Sequence, residues 1–256
     1  MRLIPRTPRR RDPARSMTVV EHLEELRQRL IVSIAAVGLG AIVGWIFYGP
    51  IFRIVTGPYE RICRDLPEKI RPFKCKLIVT GVVEPFLIRF KIAVFAGLAI
   101  ALPIVLYELW AFITPGLTRR ERRLSFPFVV ASLILFALGG WFAYLTLPKG
   151  LRFLLGFTGN ELVPLLTVNR YVTFVIFLGL SFWLSFEFPL VLIFLAMAHV
   201  ITSRQLRDWR RWAWLSISIF AAVITPSQDP YTMLAMMVPM IVFYELSILV
   251  ARLLKR

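Results

Sequence analysis

Charged residues are scarce in this sequence, and acidic residues are the scarcest of them. Of its 256 residues 18% are charged, whereas an ordinary soluble domain has about 25%. Hydrophobic residues make up 58%, which indicates that lipid surrounds most of the chain. The 31 basic residues outnumber the 15 acidic ones and give a formal net charge of +16. Because the positive charges are dispersed among apolar runs, they argue against a nucleic-acid partner and favour a membrane surface.

Residues typical of catalytic and metal sites are also few. The chain has two cysteines and two histidines, and His22 and His199 both fall at the ends of apolar segments. It contains no HExxH motif and no GxxxxGK(S/T) phosphate loop. The sequence therefore predicts no metal site, no cofactor, no nucleotide hydrolysis and no enzymatic activity.

Six long apolar segments are present instead. Crossing a hydrocarbon core of about 30 Å takes roughly 20 helical residues. Lipid cannot satisfy backbone N–H and C=O groups, so such segments must be helices. We therefore expect an all-α polytopic membrane protein with six transmembrane helices. The predicted segments cover residues 30–48, 92–113, 124–147, 171–198, 212–224 and 231–251.

The distribution of basic residues predicts the orientation of these helices. With six spans, both termini lie on the same side of the membrane. The terminal segments and the loops on that side hold 19 Lys and Arg residues, and the loops on the opposite side hold 10. Basic residues are enriched in cytoplasmic loops. We therefore expect an inner-membrane protein with both termini in the cytoplasm.

Residues 1–16 are rich in Arg and Pro and precede the membrane domain. This composition predicts a disordered basic arm, followed by one six-helix domain over residues 17–256. Arg9, Arg10 and Arg11 resemble a twin-arginine export signal superficially, but no apolar region follows them at signal spacing. Met17 is an alternative start.

Acidic residues inside the apolar segments are candidates for function, because a carboxylate in lipid is costly. Glu187 lies well inside the fourth segment, between two phenylalanines. It predicts either a functional cavity or a structural hydrogen bond to a neighbouring helix. Glu108 and Glu245 lie nearer segment ends, where function and structure are equally favoured. Arg89 and Lys91, which follow Glu84, are interpreted first as an anchor at the start of the second helix.

Two clusters of charge flank the first two segments on the predicted cytoplasmic side. The stretch HLEELRQRL at residues 22–30 precedes the first segment, and RRERR at residues 119–123 follows the second. A carboxylate can bind a guanidinium through two parallel hydrogen bonds, which favours Arg over Lys as its ligand. These acids therefore predict either a site for an arginine-containing ligand or ion pairs with their own arginine neighbours.

At these residues the chain resembles the TatC family, the core subunit of the twin-arginine protein translocase. The resemblance runs from Met17 to Arg256. It rests on HLEELRQRL, on the stretch from EPFLIRFK to LTRRERR at residues 84–123, on SFEFP at 185–189, and on TPSQDP at 225–230 followed by VPMIVFYE at 238–245. Two positions depart from the family pattern: Glu108 and Thr232 stand where glutamine is expected.

The resemblance implies a cupped six-helix fold. A protein of this family would bind twin-arginine signal peptides of folded precursors. It would assemble with single-span subunits of the TatA and TatB type in an oligomeric complex. Transport would be driven by the proton-motive force. Glu25 and Glu121 match the two acidic positions that receive the arginine pair. Glu187 matches a buried glutamate of the concave face, and Asp229 matches an acidic residue of the last outer loop. Positions that match residues shaping the peptide site include Arg27, Pro103, Phe112, Arg122 and Arg123.

The short fifth segment predicts a docking edge for a partner helix, because a helix shorter than the bilayer benefits from shielding. The fifth and sixth helices would form this edge, with Thr225, Thr232 and Glu245 as polar groups. An alternative function is a proton-coupled small-solute transporter with Glu187 as the titrating group. The sequence offers it little support, since neither internal repeats nor clustered polar residues are evident.

The two cysteines, Cys63 and Cys75, fall together in the first predicted outer loop. That side of the membrane is oxidising, so a disulfide between them is one expectation and two free thiols are the other.

Overall fold

The computed structural model describes residues 19–65, 75–113, 125–157, 165–227 and 229–253. Within these ranges the chain is almost entirely helical, with one isolated backbone bridge between Ile78 and Thr167. The predicted arm at residues 1–16 lies outside the described residues. The described helices are α1 (Val19–Ile46), α2 (Tyr48–Asp65), α3 (Glu84–Ile113), α4 (Ser125–Gly156), α5 (Val168–Met197), α6 (Ser203–Asp208), α7 (Arg210–Ile224) and α8 (Pro230–Leu253).

Five of these helices are long and apolar enough to cross a membrane. They are α1, α3, α4, α5 and α8, and they correspond to five of the six predicted segments. The remaining predicted segment, 212–224, lies in α7, which has only 15 residues. At 1.5 Å per residue this helix is about 22 Å long, shorter than a hydrocarbon core of about 30 Å. The all-α, multi-pass prediction is confirmed, with five spans supported by length.

Helix α1 packs antiparallel against α3 along most of its length. Gly40 and Gly97 lie at the closest approach, where a Cβ on Gly97 would stand 2.4 Å from the backbone nitrogen of Ala41. Near the end of α1, the Arg89 guanidinium donates to the Trp45 carbonyl and lies 4.5 Å from the Trp45 ring centroid. Small residues therefore allow two helix backbones to meet, as is common between helices in membranes.

The buried core lies among α4, α5 and α8. Its fully buried large side chains include Leu147 of α4, Phe182 of α5 and Met236 of α8. Helix α5 supplies several aromatic contacts, of which the Phe95–Trp183 stack joins it to α3 at 4.7 Å between centroids. Aromatic pairs of this geometry add to the free energy of burial.

Helix α2 and residues 75–83 form a cap over one end of the bundle. We call it the outer cap, after the outer loop predicted from the sequence. The sequence predicts Cys63 in a loop, whereas residues 48–65 form α2, which is amphipathic rather than uniformly apolar. Its buried face includes Tyr59 and Ile62, and burial raises the pKa of the Tyr59 phenol. A disulfide joins Cys63 to Cys75, with the Cα atoms 5.6 Å apart.

Glu84 connects this cap to the start of α3 and α5. Its carboxylate accepts hydrogen bonds from the backbone N–H groups of Thr80, Gly81 and Asn169. Lys91, two turns further along α3, donates to the side chains of Asn169 and Thr173 at 2.6 and 2.9 Å. These contacts join the start of α3 to the start of α5.

Candidate functional site

The first candidate site lies where α1 begins and α3 ends. Arg29 donates from Nε and Nη2 to Oε1 of Glu25, at 3.0 and 2.6 Å. Its Nη1 atom donates to Oε2 of Glu108 at 2.9 Å. One guanidinium therefore bridges two carboxylates on two different helices. We call Glu25, Arg29 and Glu108 the rim cluster.

The rim cluster is partly buried and carries a surplus of negative charge. The side chains of Glu25, Arg29 and Glu108 are 18%, 24% and 16% exposed. Two carboxylates and one guanidinium leave one negative charge without a counter-charge inside the cluster. The second carboxylate oxygen of Glu25, Oε2, is buried and has no hydrogen-bond partner in the described part of the chain. A buried acceptor without a partner is costly, so this atom is suited to a donor that arrives from outside.

Local helix geometry explains part of this arrangement. Glu25 and Arg29 are four residues apart, so they lie on the same face of α1. The acid is nearer the helix N-terminus, which is the more favourable order for such an ion pair. The contact from Arg29 to Glu108 depends on the antiparallel packing of α1 against α3. The family resemblance placed Glu25 at the site, and the alternative of ion pairs between these acids and neighbouring arginines includes the pair of Glu25 and Arg29. Function and structure were equally favoured for Glu108, and the contact between Glu108 and Arg29 was not predicted.

The other residues predicted to shape the peptide site either have partners outside the rim cluster or lie outside the described residues. Phe112 stacks on His22 with ring centroids 4.4 Å apart, which places it beside the start of α1. Arg27 lies 3.8 Å from Glu24 in a pair that is mostly exposed, so it does not contribute to the buried part of the cluster. Pro103 lies inside α3 on its exposed side. Glu121, Arg122 and Arg123 lie outside the described residues, in the segment that joins α3 to α4.

Glu187 lines a separate cavity of about 450 Å³ between α5 and α7. One oxygen of its carboxylate, Oε1, is buried without a partner among the described residues. Ser185 and Ser216 are also in the wall. The rest of the lining is apolar. Such walls offer few groups to bind a polar solute.

The polar residues predicted at the docking edge are used inside the chain. Thr225 and Thr232 are 1% and 0% exposed. The Thr225 hydroxyl donates to the Ala221 carbonyl, and the Thr232 hydroxyl bonds to Asp229 and Ser227. The prediction that these threonines offer hydrogen bonds to a partner is therefore corrected, because their hydroxyls point into this local network.

Asp229 and Glu245 have structural partners as well. The Asp229 carboxylate accepts the backbone N–H of Thr232 at 2.8 Å, which caps the first turn of α8. Glu245, near the other end of α8, accepts from Arg210 at 2.7 Å and from the indole of Trp214 at 3.3 Å. It thereby joins α7 to α8. No group of three or more potential metal-ligating side chains is present in the described ranges.

Comparisons with known proteins agree on one family. Residues 21–239 match the family model described as Sec-independent protein translocase protein (TatC). A TatC protein of Frankia casuarinae is 44% identical over 237 residues, which cover 91% of this chain and 65% of that protein. A TatC protein of Aquifex aeolicus is 38% identical, and the match covers 94% of this chain and 97% of that protein. A crystal structure of the twin-arginine translocase receptor TatC superposes with a TM-score of 0.76 at 37% identity, over 92% of this chain and 100% of that chain.

Proposed function

We propose that this chain, which belongs to the TatC family of Sec-independent protein translocase proteins, is the signal-peptide receptor and core scaffold of a twin-arginine translocase. It binds the arginine pair of folded precursors, and the proton-motive force drives their passage. In this proposal α7 also crosses the membrane, which makes six spans, and both termini are cytoplasmic. The rim cluster then lies on the cytoplasmic side of the inner membrane.

The observation that supports this proposal most is the state of Glu25. One of its carboxylate oxygens already accepts two bonds from a guanidinium, and the other is buried without a partner in the described residues. The site thus has the chemistry that an arginine requires, since a carboxylate binds the planar fork of arginine better than the point charge of lysine. Glu121 would supply the second carboxylate from the adjoining segment. An extended peptide advances at most about 3.6 Å per residue, so both arginines can reach one patch.

Replacing Glu25 by Gln is expected to weaken binding of a twin-arginine signal peptide to the purified protein. The change keeps the shape of the side chain but removes the charge, and hydrogen bonds to charged groups contribute about 1.5–3 kcal/mol. We therefore expect a loss of roughly 10- to 100-fold in affinity. Fluorescence anisotropy with a labelled peptide measures it.

Glu24→Gln is the matched control, because Glu24 is adjacent in sequence and 59% exposed. A twin-lysine peptide provides the second control and should bind weakly to the unmodified protein. Equal affinity for the two peptides, or full affinity in a Glu25→Gln and Glu121→Gln double variant, would contradict the proposed receptor role.

We also propose that α7 and α8 form the docking edge for a single-span TatA- or TatB-type subunit, through apolar contacts. Leu215, Ile219 and Val223 form a stripe four residues apart on α7 and are 50%, 56% and 73% exposed. Because α7 is shorter than the hydrocarbon core is thick, covering this stripe with a partner helix relieves the mismatch.

Photo-reactive residues placed at Ile219 and Val223 are expected to cross-link to the transmembrane helix of the single-span subunit. Leu138, which is 48% exposed on α4, serves as the control position on another lipid-facing surface. Cross-linking that is as strong at Leu138 as on α7, or absent from α7, would exclude this edge.

A further inference from the structure

Arg29 occupies the carboxylate that the proposed function assigns to an incoming arginine. Its Nε and Nη2 atoms both bind Oε1 of Glu25. A bidentate pair between a new guanidinium and Glu25 needs both carboxylate oxygens, one parallel bond to each. Only Oε2 is without a partner in the described part of the chain. An arriving arginine therefore competes with Arg29 for Glu25.

Displacing Arg29 would be costly if it had no second acceptor, since a partly buried charge that loses its partner destabilises a protein strongly. Glu108 provides that acceptor. It already receives Nη1 of Arg29 at 2.9 Å, and it lies on α3 rather than on the helix that holds Arg29 and Glu25. Arg29 can release Glu25 and still keep an ion pair.

From this geometry we propose that Arg29 is a resident substitute for the signal-peptide arginine, and that Glu108 is the positioning residue that holds Arg29 when the peptide displaces it from Glu25. The inference rests on the proposed receptor function and extends it. The empty site keeps its buried carboxylate neutralised by Arg29, and the filled site has two ion pairs, peptide arginine with Glu25 and Arg29 with Glu108. The surplus negative charge of the cluster is then balanced by the peptide.

The proposal predicts a specific pattern in a double-mutant cycle, which isolates coupling between two side chains. Glu108→Gln alone should weaken binding of a twin-arginine signal peptide, because Arg29 then has only Glu25 as its partner and is harder to displace. We expect a loss of affinity of roughly fivefold to tenfold, which is within the usual range for coupling between two sites. Arg29→Gln alone should strengthen binding, since the competitor is gone. In the Arg29→Gln background, Glu108→Gln should have no further effect. Glu108→Asp should restore most of the affinity, because it keeps the charge.

Three outcomes separate this mechanism from others. If Glu108→Gln weakens binding equally in both backgrounds, Glu108 binds the peptide directly and the proposal is overturned. If Glu108→Gln has no effect in the unmodified background, the proposal is overturned as well. If the unmodified protein does not distinguish a twin-arginine from a twin-lysine peptide, the receptor function itself fails and the inference fails with it.

A second measurement observes Arg29 in the unmodified protein. In the full-length protein in detergent, the Nε–H resonance of Arg29 should shift when the twin-arginine peptide is added and stay unchanged with the twin-lysine peptide. Arg29→Gln identifies the resonance. A peptide that binds with the expected selectivity but leaves this resonance in place would show that Arg29 remains on Glu25, which overturns the proposal while leaving the receptor function intact.

Discussion

Replacing Gly97 by Ala is expected to separate α1 from α3 and to lower the thermal stability of the protein more than any surface substitution. The added Cβ would lie 2.4 Å from the nitrogen and 2.7 Å from the Cα of Ala41, and 2.8 Å from the carbonyl oxygen of Val37. These are backbone atoms, which cannot move aside by changing a rotamer. Overpacking of a core costs about 1–3 kcal/mol, and here one whole helix must shift.

The same substitution at Gly38 provides a matched control. Gly38 lies in the same helix pair, but a Cβ there would meet nothing within 4 Å. Alanine is favoured over glycine inside a helix by roughly 0.5–1 kcal/mol, so Gly38→Ala should leave stability unchanged or raise it slightly. Thermal unfolding of both variants in detergent tests this. Equal midpoints for the two variants would show that the close contact between α1 and α3 is not needed for stability.

The rim cluster should respond to this change as well, because Glu108 reaches Arg29 only across the interface between α3 and α1. Gly97→Ala should therefore weaken twin-arginine peptide binding in any fraction of the protein that remains folded. Gly38→Ala should not. The close approach of two glycines thus connects the packing of the helices to the chemistry of the proposed site.

Hydropathy predicted the helices well because lipid allows few alternatives. In a bilayer the backbone must satisfy its own hydrogen bonds, so a long apolar run is a helix. The ends of the helices were harder to predict. Helix α1 begins at Val19, whereas the apolar segment begins at residue 30, because the charged stretch before it continues the same helix. Helix α2 was missed since it contains Pro58 and several charged residues, and only one of its faces is buried.

The residues of the rim cluster show which part of a site a sequence can predict. The pair of Glu25 and Arg29 follows from helical spacing, and the family resemblance identified Glu25. The contact between Arg29 and Glu108 joins residues 79 positions apart. It depends on the register of two helices, which in turn depends on which glycines face each other. Local sequence patterns carry little information about that register.

The polar residues between α7 and α8 illustrate the opposite error. Thr225 and Thr232 near the end of one apolar helix and the start of another were interpreted as groups available to a partner. Asp229 directs Thr232 inward instead, because its carboxylate caps α8 and binds the Thr232 hydroxyl. The Thr225 hydroxyl donates to the Ala221 carbonyl within its own helix end. A short polar segment between two helices satisfies its own hydrogen bonds first, and this preference was underestimated.

The outer cap gives the second large expected effect, through the disulfide between Cys63 and Cys75. The two cysteines are 12 residues apart, and the bond closes a loop between α2 and the segment before α3. In the chain-entropy model, closing a loop of this length stabilises the folded state by about 3 kcal/mol. A Cys63→Ser and Cys75→Ser double variant should therefore unfold at a clearly lower temperature than the unmodified protein.

The effect should be confined to the stability of the outer cap. Cys63 and Cys75 lie at the far end of α3 from Glu108, and α3 is a helix of 30 residues, about 45 Å long. The folded double variant should accordingly bind a twin-arginine peptide with unchanged affinity. A reductant should lower the unfolding temperature of the unmodified protein and have no effect on the double variant, which lacks the bond. Unmodified protein prepared under oxidising conditions can be alkylated before reduction, and two alkylated thiols would then show that the bond does not form. Equal unfolding temperatures for the two proteins would show that the outer cap does not depend on the bond.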